Sequence, residues 1–105
     1  MTSSVRIDRR GAVADLVIDR AQIHNAFDDA LIGALTAALQ HLDADDGVRA
    51  VVLTGAGHTF SAGADLNWMR RMAQASADAN RDDALKLAEL MRTLNFLGKP
   101  TIARV

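Results

Sequence analysis

The chain has no cysteine, so disulfide bonds and cysteine-based zinc or redox sites are excluded. It has no excess of charge of either sign, since 12 lysines and arginines oppose 13 aspartates and glutamates. Nucleic-acid binding needs a clustered basic surface and is therefore not expected. No apolar run approaches the roughly 20 residues of a membrane span, and the N-terminus, "MTSSVRIDRRGAV", lacks the apolar core of a signal peptide. We therefore expect no membrane partner and a cytoplasmic location.

The residues that are present suit a folded α/β protein. Half of the 105 residues are hydrophobic and 24% are charged, which is typical of globular domains. This length is sufficient for one small domain or for part of a larger one. β-branched residues predict two short strands, about Val5 to Arg9 and Val13 to Ile18, joined at Gly11.

A loop, a helix and a third strand are predicted next. Residues 21–27, "AQIHNAF", form a connecting loop, after which Asp28 or Asn25 caps a helix that runs to about Leu42. Gly47 lies where helices commonly stop. The run "VRAVVLTG", residues 48–55, is nearly all apolar and bounded by turn residues, which favours a strand covered on both faces.

The rest of the chain predicts two helices and a last strand. A short helix follows Asp65, and a longer one spans about Asn80 to Leu97. The apolar side of the longer helix consists of Leu87, Leu90, Met91 and Leu94. Pro100 ends it, and "TIARV" predicts a buried parallel strand that ends at Val105. The order of elements, without a linker, indicates an α/β fold with repeated ββα or βα units, of which residues 1–105 form the first part.

Four familiar site motifs are incomplete in this sequence. The glycines of "TGAGHTFSAG" begin a dinucleotide-binding fingerprint, but its third glycine position falls on Phe60, and no Gly-Lys-Ser/Thr of a phosphate-binding loop follows. "TFSAG" has Thr59 where a serine-nucleophile elbow requires glycine. The histidines and acids lack the spacing of metal ligands, so no metal site is predicted.

The remaining candidate is a binding site formed by the backbone amides of "SAGADL", residues 61–66. Amides at a helix start have no internal partner and carry the positive end of the helix dipole. They can hold a phosphate, a carboxylate or a carbonyl oxygen that gains charge during a reaction. The same residues also suit a tight strand-to-helix turn in which Asp65 is only an N-cap, and spacing alone favours neither interpretation.

"FSAGADLNWM" resembles the signature of the crotonase family, the enoyl-CoA hydratase/isomerase superfamily. "DRAQIHNAF", "VRAVVLTGAGHTFSAGADL" and "KPTIARV" match other family segments in the right order and spacing, so the resemblance covers practically the whole chain. "ADLNWM" resembles the branch that hydrates branched or carboxylated acyl-CoAs, such as methylglutaconyl-CoA or carboxygeranoyl-CoA. The resemblance implies a crotonase-like ββα spiral of which residues 1–105 are the N-terminal portion.

The resemblance also implies roles for particular residues. The substrate is an acyl-CoA thioester, and coenzyme A enters as part of it with no separate cofactor. The thioester oxygen lies in an oxyanion hole of two backbone N–H groups, one of them from Ala64. Trp68 and Met69 are acyl-pocket candidates, although both also suit plain helix packing. The implied CoA-binding residues are Gln22, Ile23, His24, Ala62, Gly63, Ala64, Asp65, Leu66 and Asn67.

The chain also departs from the family pattern. Ala21 replaces a common proline, and Asn67 replaces a lysine that binds the CoA phosphates in some members, so Arg70 or Arg71 is the alternative phosphate partner. The second oxyanion donor and the acid–base glutamates fall after Val105 in the family, and the only glutamate here is Glu89. We therefore expect residues 1–105 alone to be inactive in hydration.

The leading hypothesis is the N-terminal part of an enoyl-CoA hydratase, which the family resemblance places in a homotrimer or hexamer. The alternatives are an isomerase or acyl-CoA hydrolase of the same family and a non-catalytic CoA-binding or interaction fragment.

Overall fold

The computed structural model describes residues 4–105. Its strands and helices are β1 (Val5–Arg10), β2 (Val13–Ile18), α1 (Asp29–Ala44), β3 (Ala50–Gly55), α2 (Leu66–Gln74), α3 (Ala77–Asn95) and β4 (Thr101–Arg104). A 3₁₀ turn lies at Ala21–Ile23. The four strands form one mixed sheet in the order β1-β2-β3-β4, in which β1 and β2 are antiparallel, whereas β2–β3 and β3–β4 are parallel. The predicted α/β class and element order are confirmed.

The core lies between one face of the sheet and α1. Leu31, Leu35, Leu39 and Leu42 lie at helical spacing on α1 and are all buried. They meet Ala14, Leu16 and Ile18 on alternate positions of β2, together with Val51 of β3. Alternation on the strand and helical spacing on α1 place both apolar sets on facing surfaces. Full burial of a leucine or isoleucine side chain contributes about 1.5–3 kcal/mol, so this layer fixes how the sheet and α1 sit together.

Among the element boundaries that differ from the predictions, three have a clear local reason. The Asp45 N–H donates to Leu42 O and ends α1 at Ala44, two residues later than predicted. Val48 lies in the following turn, with its N–H bonded to Asp45 O at 3.0 Å, so β3 begins at Ala50. Ser76 caps α3, its hydroxyl accepting the Ala79 N–H at 3.1 Å, and the helix therefore begins before Asn80.

Burial of the C-terminal half is lower than the sequence predicts. β4 was predicted to be buried, but all four of its residues are exposed, because it pairs only with β3 and forms the outer edge of the sheet within residues 4–105. On α3 only Leu90 is buried, whereas Leu87 and Met91 are 37% and 48% exposed. Within the described residues, no helix combines the length and the apolar character needed to cross a bilayer.

The sheet topology brings two loops to one edge. Ile18 and Gly55, the last residues of β2 and β3, are register partners in a parallel pair. The segments that leave these strands therefore emerge side by side, at the carboxyl edge where open α/β sheets bind ligands. We call residues 19–28 the β2 exit loop and residues 56–65 the β3 exit loop.

Candidate functional site

Asn25 joins the two exit loops. Its side chain is fully buried, and its amide nitrogen donates to Ala56 O at 2.9 Å and to Thr59 O at 2.6 Å. Its side-chain oxygen accepts the Arg20 N–H at 2.8 Å. Both ends of the amide are therefore satisfied, and the tip of the β3 exit loop is held against the β2 exit loop.

Close backbone packing accompanies this junction. His24 and Asn25 adopt left-handed conformations, with φ of 55° and 57°, a region that Asn and His tolerate better than most residues. Gly55 has almost no free space, since a Cβ there would lie 2.5 Å from Phe60 O and 2.7 Å from the Asn25 side-chain nitrogen. A side chain at position 55 would separate the loops that Asn25 joins.

Arg20 forms a second connection between the two exit loops. Its guanidinium lies 3.1 Å from the Asp28 carboxylate and 3.2 Å from the Asp65 carboxylate, and it donates to Ala26 O at 2.7 Å. Asp28 and Asp65 are the N-caps of α1 and α2. Because the Arg20 side chain is only 15% exposed, it fixes the starts of both helices relative to each other from within the fold.

Asp65 is a structural cap in this arrangement. One carboxylate oxygen accepts the backbone N–H of Asn67 at 2.7 Å and that of Trp68 at 3.2 Å, and the other pairs with Arg20. The N–H of Trp68, that of Asn67 and the charge of Arg20 hold the pKa of Asp65 below its ordinary value, against the opposing effect of desolvation. The side chain of Asp65 therefore acts as the N-cap of α2, which is one of the two interpretations that the sequence allowed.

We expect Asp65→Asn to reduce the loss of stability in acid. A folded-state pKa below the unfolded value means that the carboxylate stabilises the fold above the unfolded pKa, near 4, and that this contribution is lost as pH falls through the folded pKa. Urea unfolding between pH 7 and 2 should therefore show a shallower pH dependence for D65N. Asp46→Asn, an exposed substitution that changes the charge equally, is the control. Equal acid slopes for wild type and D65N would contradict this assignment.

The backbone around Ala64 is held by Phe27. Phe27 and Ala64 form an isolated parallel bridge, in which the Phe27 N–H donates to Gly63 O and the Asp65 N–H donates to Phe27 O, both at 2.6 Å. Successive peptide groups of an extended segment face opposite sides, so the Ala64 N–H points away from Phe27. The N–H groups of Ala62, Gly63 and Asp65 are all bonded, whereas that of Ala64 has no acceptor among the described residues.

Gly63 gives this segment its shape. Its φ is +89°, and a Cβ there would meet no atom within 4 Å. The requirement for glycine is therefore conformational, since a side chain would have room but the backbone region disfavours one.

Ala64 lines a groove of about 510 Å³. We call it the Ala64 groove. The only cationic side chain that lines it is Arg70, whose guanidinium lies 3.5 Å from the Asn67 side-chain oxygen. Arg71, the other candidate cation, pairs instead with Asp29 at 3.2 Å. The lining residues are Ile23, Ala26, Ala62, Ala64, Asp65, Leu66, Asn67 and Arg70.

A second depression, of about 350 Å³, is also lined by Ala64. We call it the apolar pocket. Its one hydroxyl belongs to Ser61, which donates to Asn25 O at 2.9 Å and accepts the Gly63 N–H at 3.2 Å. The lining residues are Phe27, Ile32, Phe60, Ser61, Gly63, Ala64, Trp68 and Leu87. Ala64 lines both depressions.

The structure brings together most of the residues singled out from the sequence. Ile23, Ala62, Asp65, Leu66 and Asn67 line the Ala64 groove, Gly63 and Trp68 line the apolar pocket, and Ala64 lines both.

Three predicted residues lie elsewhere. Gln22 is exposed and lines neither depression. His24 lines a separate depression of about 170 Å³, together with His58. Met69 is 48% exposed and lies outside the apolar pocket. No three His, Asp or Glu side chains of residues 4–105 cluster as metal ligands would.

Sequence reasoning missed the residues that reach the site from a distance. Arg20 gave no signal of its buried ion pairs, and Asn25 appeared only as a possible helix cap. Phe27, Phe60 and Leu87 are separated by more than twenty residues from one another, so no local pattern connects them. The signal that was available is the density of polar and aromatic residues in "DRAQIHNAF", a predicted loop.

Known proteins resemble this chain over nearly its whole length. A crystal structure of an enoyl-CoA hydratase from Shewanella pealeana superposes with a TM-score of 0.93 and 40% identity, over 95% of this chain and 38% of that one. The short-chain-enoyl-CoA hydratase of Clostridium acetobutylicum is 32% identical over 98% of this chain and 39% of its own length. A 4-chlorobenzoyl coenzyme A dehalogenase of Arthrobacter is 32% identical over 96% of this chain and 37% of its own length.

The chain thus spans somewhat more than a third of the length of the relatives that it matches. Residues 8–105 match the family model described as enoyl-CoA hydratase/isomerase. On this match and on the structural similarity, the chain belongs to the enoyl-CoA hydratase/isomerase family.

Proposed function

We propose that this chain supplies the N-terminal half-site of an enoyl-CoA hydratase, with the Ala64 N–H as one donor of the oxyanion hole. The observation that carries the proposal is the position of Ala64. It is the residue shared by the Ala64 groove and the apolar pocket, and its N–H has no acceptor among the described residues. A thioester carbonyl at this position has its CoA portion in the groove and its acyl portion in the pocket.

The chemistry follows from the thioester. Adding water across the conjugated double bond gives the thioester oxygen enolate character, and a preorganised amide stabilises that charge. The bridge to Phe27, the positive φ of Gly63 and the capping by Asp65 hold the Ala64 amide in place before substrate arrives. Preorganisation is what makes such a donor effective, because no reorganisation is needed at the moment of reaction.

Hydration also requires a general acid and a general base to transfer protons. Glu89 lines neither depression, and both oxygens of Asp65 are engaged in capping and in the Arg20 pair. No carboxylate of residues 4–105 lines the apolar pocket, and that of Asp83 accepts the indole N–H of Trp68, a wall residue, at 3.5 Å. We accordingly propose residues 1–105 as the N-terminal part of one crotonase-like domain, with the second oxyanion donor and the catalytic glutamates supplied from outside this segment.

The choice of hydration over other reactions is supported by the names of the relatives. Two of those compared are enoyl-CoA hydratases, but one of similar identity is a dehalogenase that acts on an aromatic CoA thioester. The shared portion therefore suits recognition of the thioester, whereas the reaction type depends on groups outside it. The resemblance of "ADLNWM" points to branched or carboxylated acyl groups within the hydratases.

A test of the groove is the binding of acetyl-CoA to the 105-residue chain and to Arg70→Ala. Arg70 is the groove's cation, so we expect R70A to weaken acetyl-CoA binding by roughly 3- to 10-fold at low salt, with a smaller difference at high salt. Acetyl-pantetheine, which lacks the nucleotide and its 3′-phosphate, should bind both proteins equally. Isothermal titration provides the measurement.

Arg81→Ala is the matched control, because Arg81 is exposed on α3 and lines neither depression. It should bind acetyl-CoA as the wild type does. Absence of acetyl-CoA binding to the folded wild-type chain at millimolar concentration would contradict the proposed function.

A further inference from the structure

We infer that Arg20 is a positioning residue for the oxyanion donor, because its guanidinium begins a row of hydrogen bonds that ends at the Ala64 N–H. The inference rests on the proposed function, in which that N–H binds the thioester oxygen. Arg20 lines neither the Ala64 groove nor the apolar pocket, so it acts on the donor through the backbone.

The row of hydrogen bonds passes through two peptide groups. Arg20 donates to Ala26 O at 2.7 Å. That carbonyl belongs to the same planar peptide group as the Phe27 N–H, which donates to Gly63 O at 2.6 Å. The Gly63 carbonyl shares its own peptide group with the Ala64 N–H. Because the C=O and N–H of a trans peptide point in opposite directions, the row leads from the guanidinium to the oxyanion donor.

A cation suits the start of this row. Both peptide groups present their oxygen toward Arg20 and their N–H away from it, so the positive charge polarises them in the same direction. Hydrogen bonds joined in this way strengthen one another by roughly 10–30% per bond. The Ala64 N–H therefore becomes a better donor to an oxygen that gains negative charge.

Two carboxylates fix the guanidinium and tie it to both sides of the Phe27–Ala64 bridge. Asp28 directly follows Phe27, and Asp65 directly follows Ala64. Arg20 lies 3.1 Å from the first carboxylate and 3.2 Å from the second. These anions offset the charge of Arg20 at longer range, so its effect on the donor depends on the direct row and on geometry.

Geometry is what an arginine supplies at this position. Its planar fork holds several acceptors in fixed directions, which the single ammonium of a lysine does not. Because the Arg20 side chain is only 15% exposed, water competes little for its N–H groups. Hydrogen bonds weaken steeply with misalignment, so a small rotation of the Gly63–Ala64 peptide group would reduce its bond to the thioester.

The test is the ratio of acetyl-CoA affinity to coenzyme A affinity in the wild-type chain and in Arg20→Met. Coenzyme A lacks the thioester carbonyl, so the ratio reports the acetyl group and its bond to the Ala64 N–H. We expect the wild type to prefer acetyl-CoA by roughly 3- to 10-fold, and R20M to lose roughly 2- to 5-fold of that preference. Isothermal titration provides both affinities. A loss of folded protein alone would weaken both ligands equally and leave the ratio unchanged.

Arg10→Met is the matched control. It removes an arginine that bonds to the Asp15 carboxylate at 2.8 and 2.9 Å, and neither residue lines the Ala64 groove or the apolar pocket. R10M should be less stable than the wild type and keep the wild-type ratio. Arg20→Lys retains the charge and most of the side-chain stem, so it should fold and recover only part of the preference.

The outcomes separate the inference from the proposed function. A wild-type preference that is unchanged in R20M would overturn the inference and leave the proposed function intact. If R20M does not fold, R20K decides in the same way. An equal fall of the ratio in R10M would show a general effect of stability and also overturn the inference. Absence of any preference for acetyl-CoA in the wild type would overturn the proposed function and the inference together.

Discussion

Asn25→Ala is expected to lower the free energy of unfolding by at least about 3 kcal/mol. Truncation leaves the Arg20 N–H and the carbonyls of Ala56 and Thr59 without their partner, and each such group costs about 1–3 kcal/mol when it stays shielded from water. Alanine also tolerates the left-handed conformation at this position less well than asparagine. Urea unfolding followed by the fluorescence of Trp68, the only tryptophan and a buried one, provides the measurement.

A glycine variant separates the loss of hydrogen bonds from the cost of the left-handed backbone, and an exposed asparagine provides the control. Asn25→Gly keeps the backbone conformation and loses only the side-chain hydrogen bonds, so it should be more stable than N25A by up to about 1 kcal/mol. Asn95→Ala, an exposed asparagine at the end of α3, should stay within about 0.5 kcal/mol of the wild type. A loss in N25A no larger than that in N95A would mean that Asn25 does not hold the exit loops together.

The parts of the fold that could be predicted are those with a local periodic signal. The leucines at helical spacing between Leu31 and Leu42 predicted α1, because that spacing requires a buried face, and the β-branched residues of "VADLVI" predicted β2. The strand boundaries at Val13 and Ile18 agree with the structure for the same reason. Gly11, with φ of 62°, marks the hairpin turn as expected.

The parts that could not be predicted depend on distant partners. "TIARV" has the composition of a buried strand, but burial depends on what covers the strand, and β4 lies at the sheet edge. Likewise Leu87 and Met91 share the helical spacing of Leu90, yet only Leu90 has packing partners sufficient to bury it. Periodicity identifies an apolar face without showing what the face contacts.

The candidate site likewise contains residues that the sequence predicts and residues that it does not. Ala64 and the segment around it were identified from a contiguous motif, and they do lie together in the structure. Arg20 acts through carboxylates 8 and 45 residues away, and Leu87 joins the pocket from a helix more than twenty residues beyond Ala64. These contacts exist only after the β2 and β3 exit loops and the helices have packed.

Replacing Ala64 by lactic acid, which turns its amide into an ester, is expected to remove the oxyanion donor. The ester deletes one N–H and keeps the side chain, whereas a proline would also strain Gly63. Loss of one hydrogen bond should weaken binding of a ground-state acyl-CoA by roughly 3- to 10-fold. In an assembled enzyme, removing one such donor typically costs about 10²- to 10³-fold in kcat.

The matched control is the same ester at Ala77. Ala77 begins α3, its N–H has no acceptor among the described residues, and it lines neither the Ala64 groove nor the apolar pocket. Because the chain has no cysteine, either ester can be placed through a ligation at a temporary cysteine without a competing thiol. Acyl-CoA affinity should be unchanged in the Ala77 ester.

The most direct measurement is the infrared stretch of a ¹³C-labelled thioester carbonyl in bound acetyl-CoA. A hydrogen bond from the Ala64 N–H withdraws electron density from the C=O bond, so the band of the bound thioester should lie at lower wavenumber than that of free acetyl-CoA. The shift should be largely lost in the Ala64 ester and retained in the Ala77 ester. A shift of equal size in the Ala64 ester, or no shift in the wild-type complex, would show that Ala64 is not an oxyanion donor.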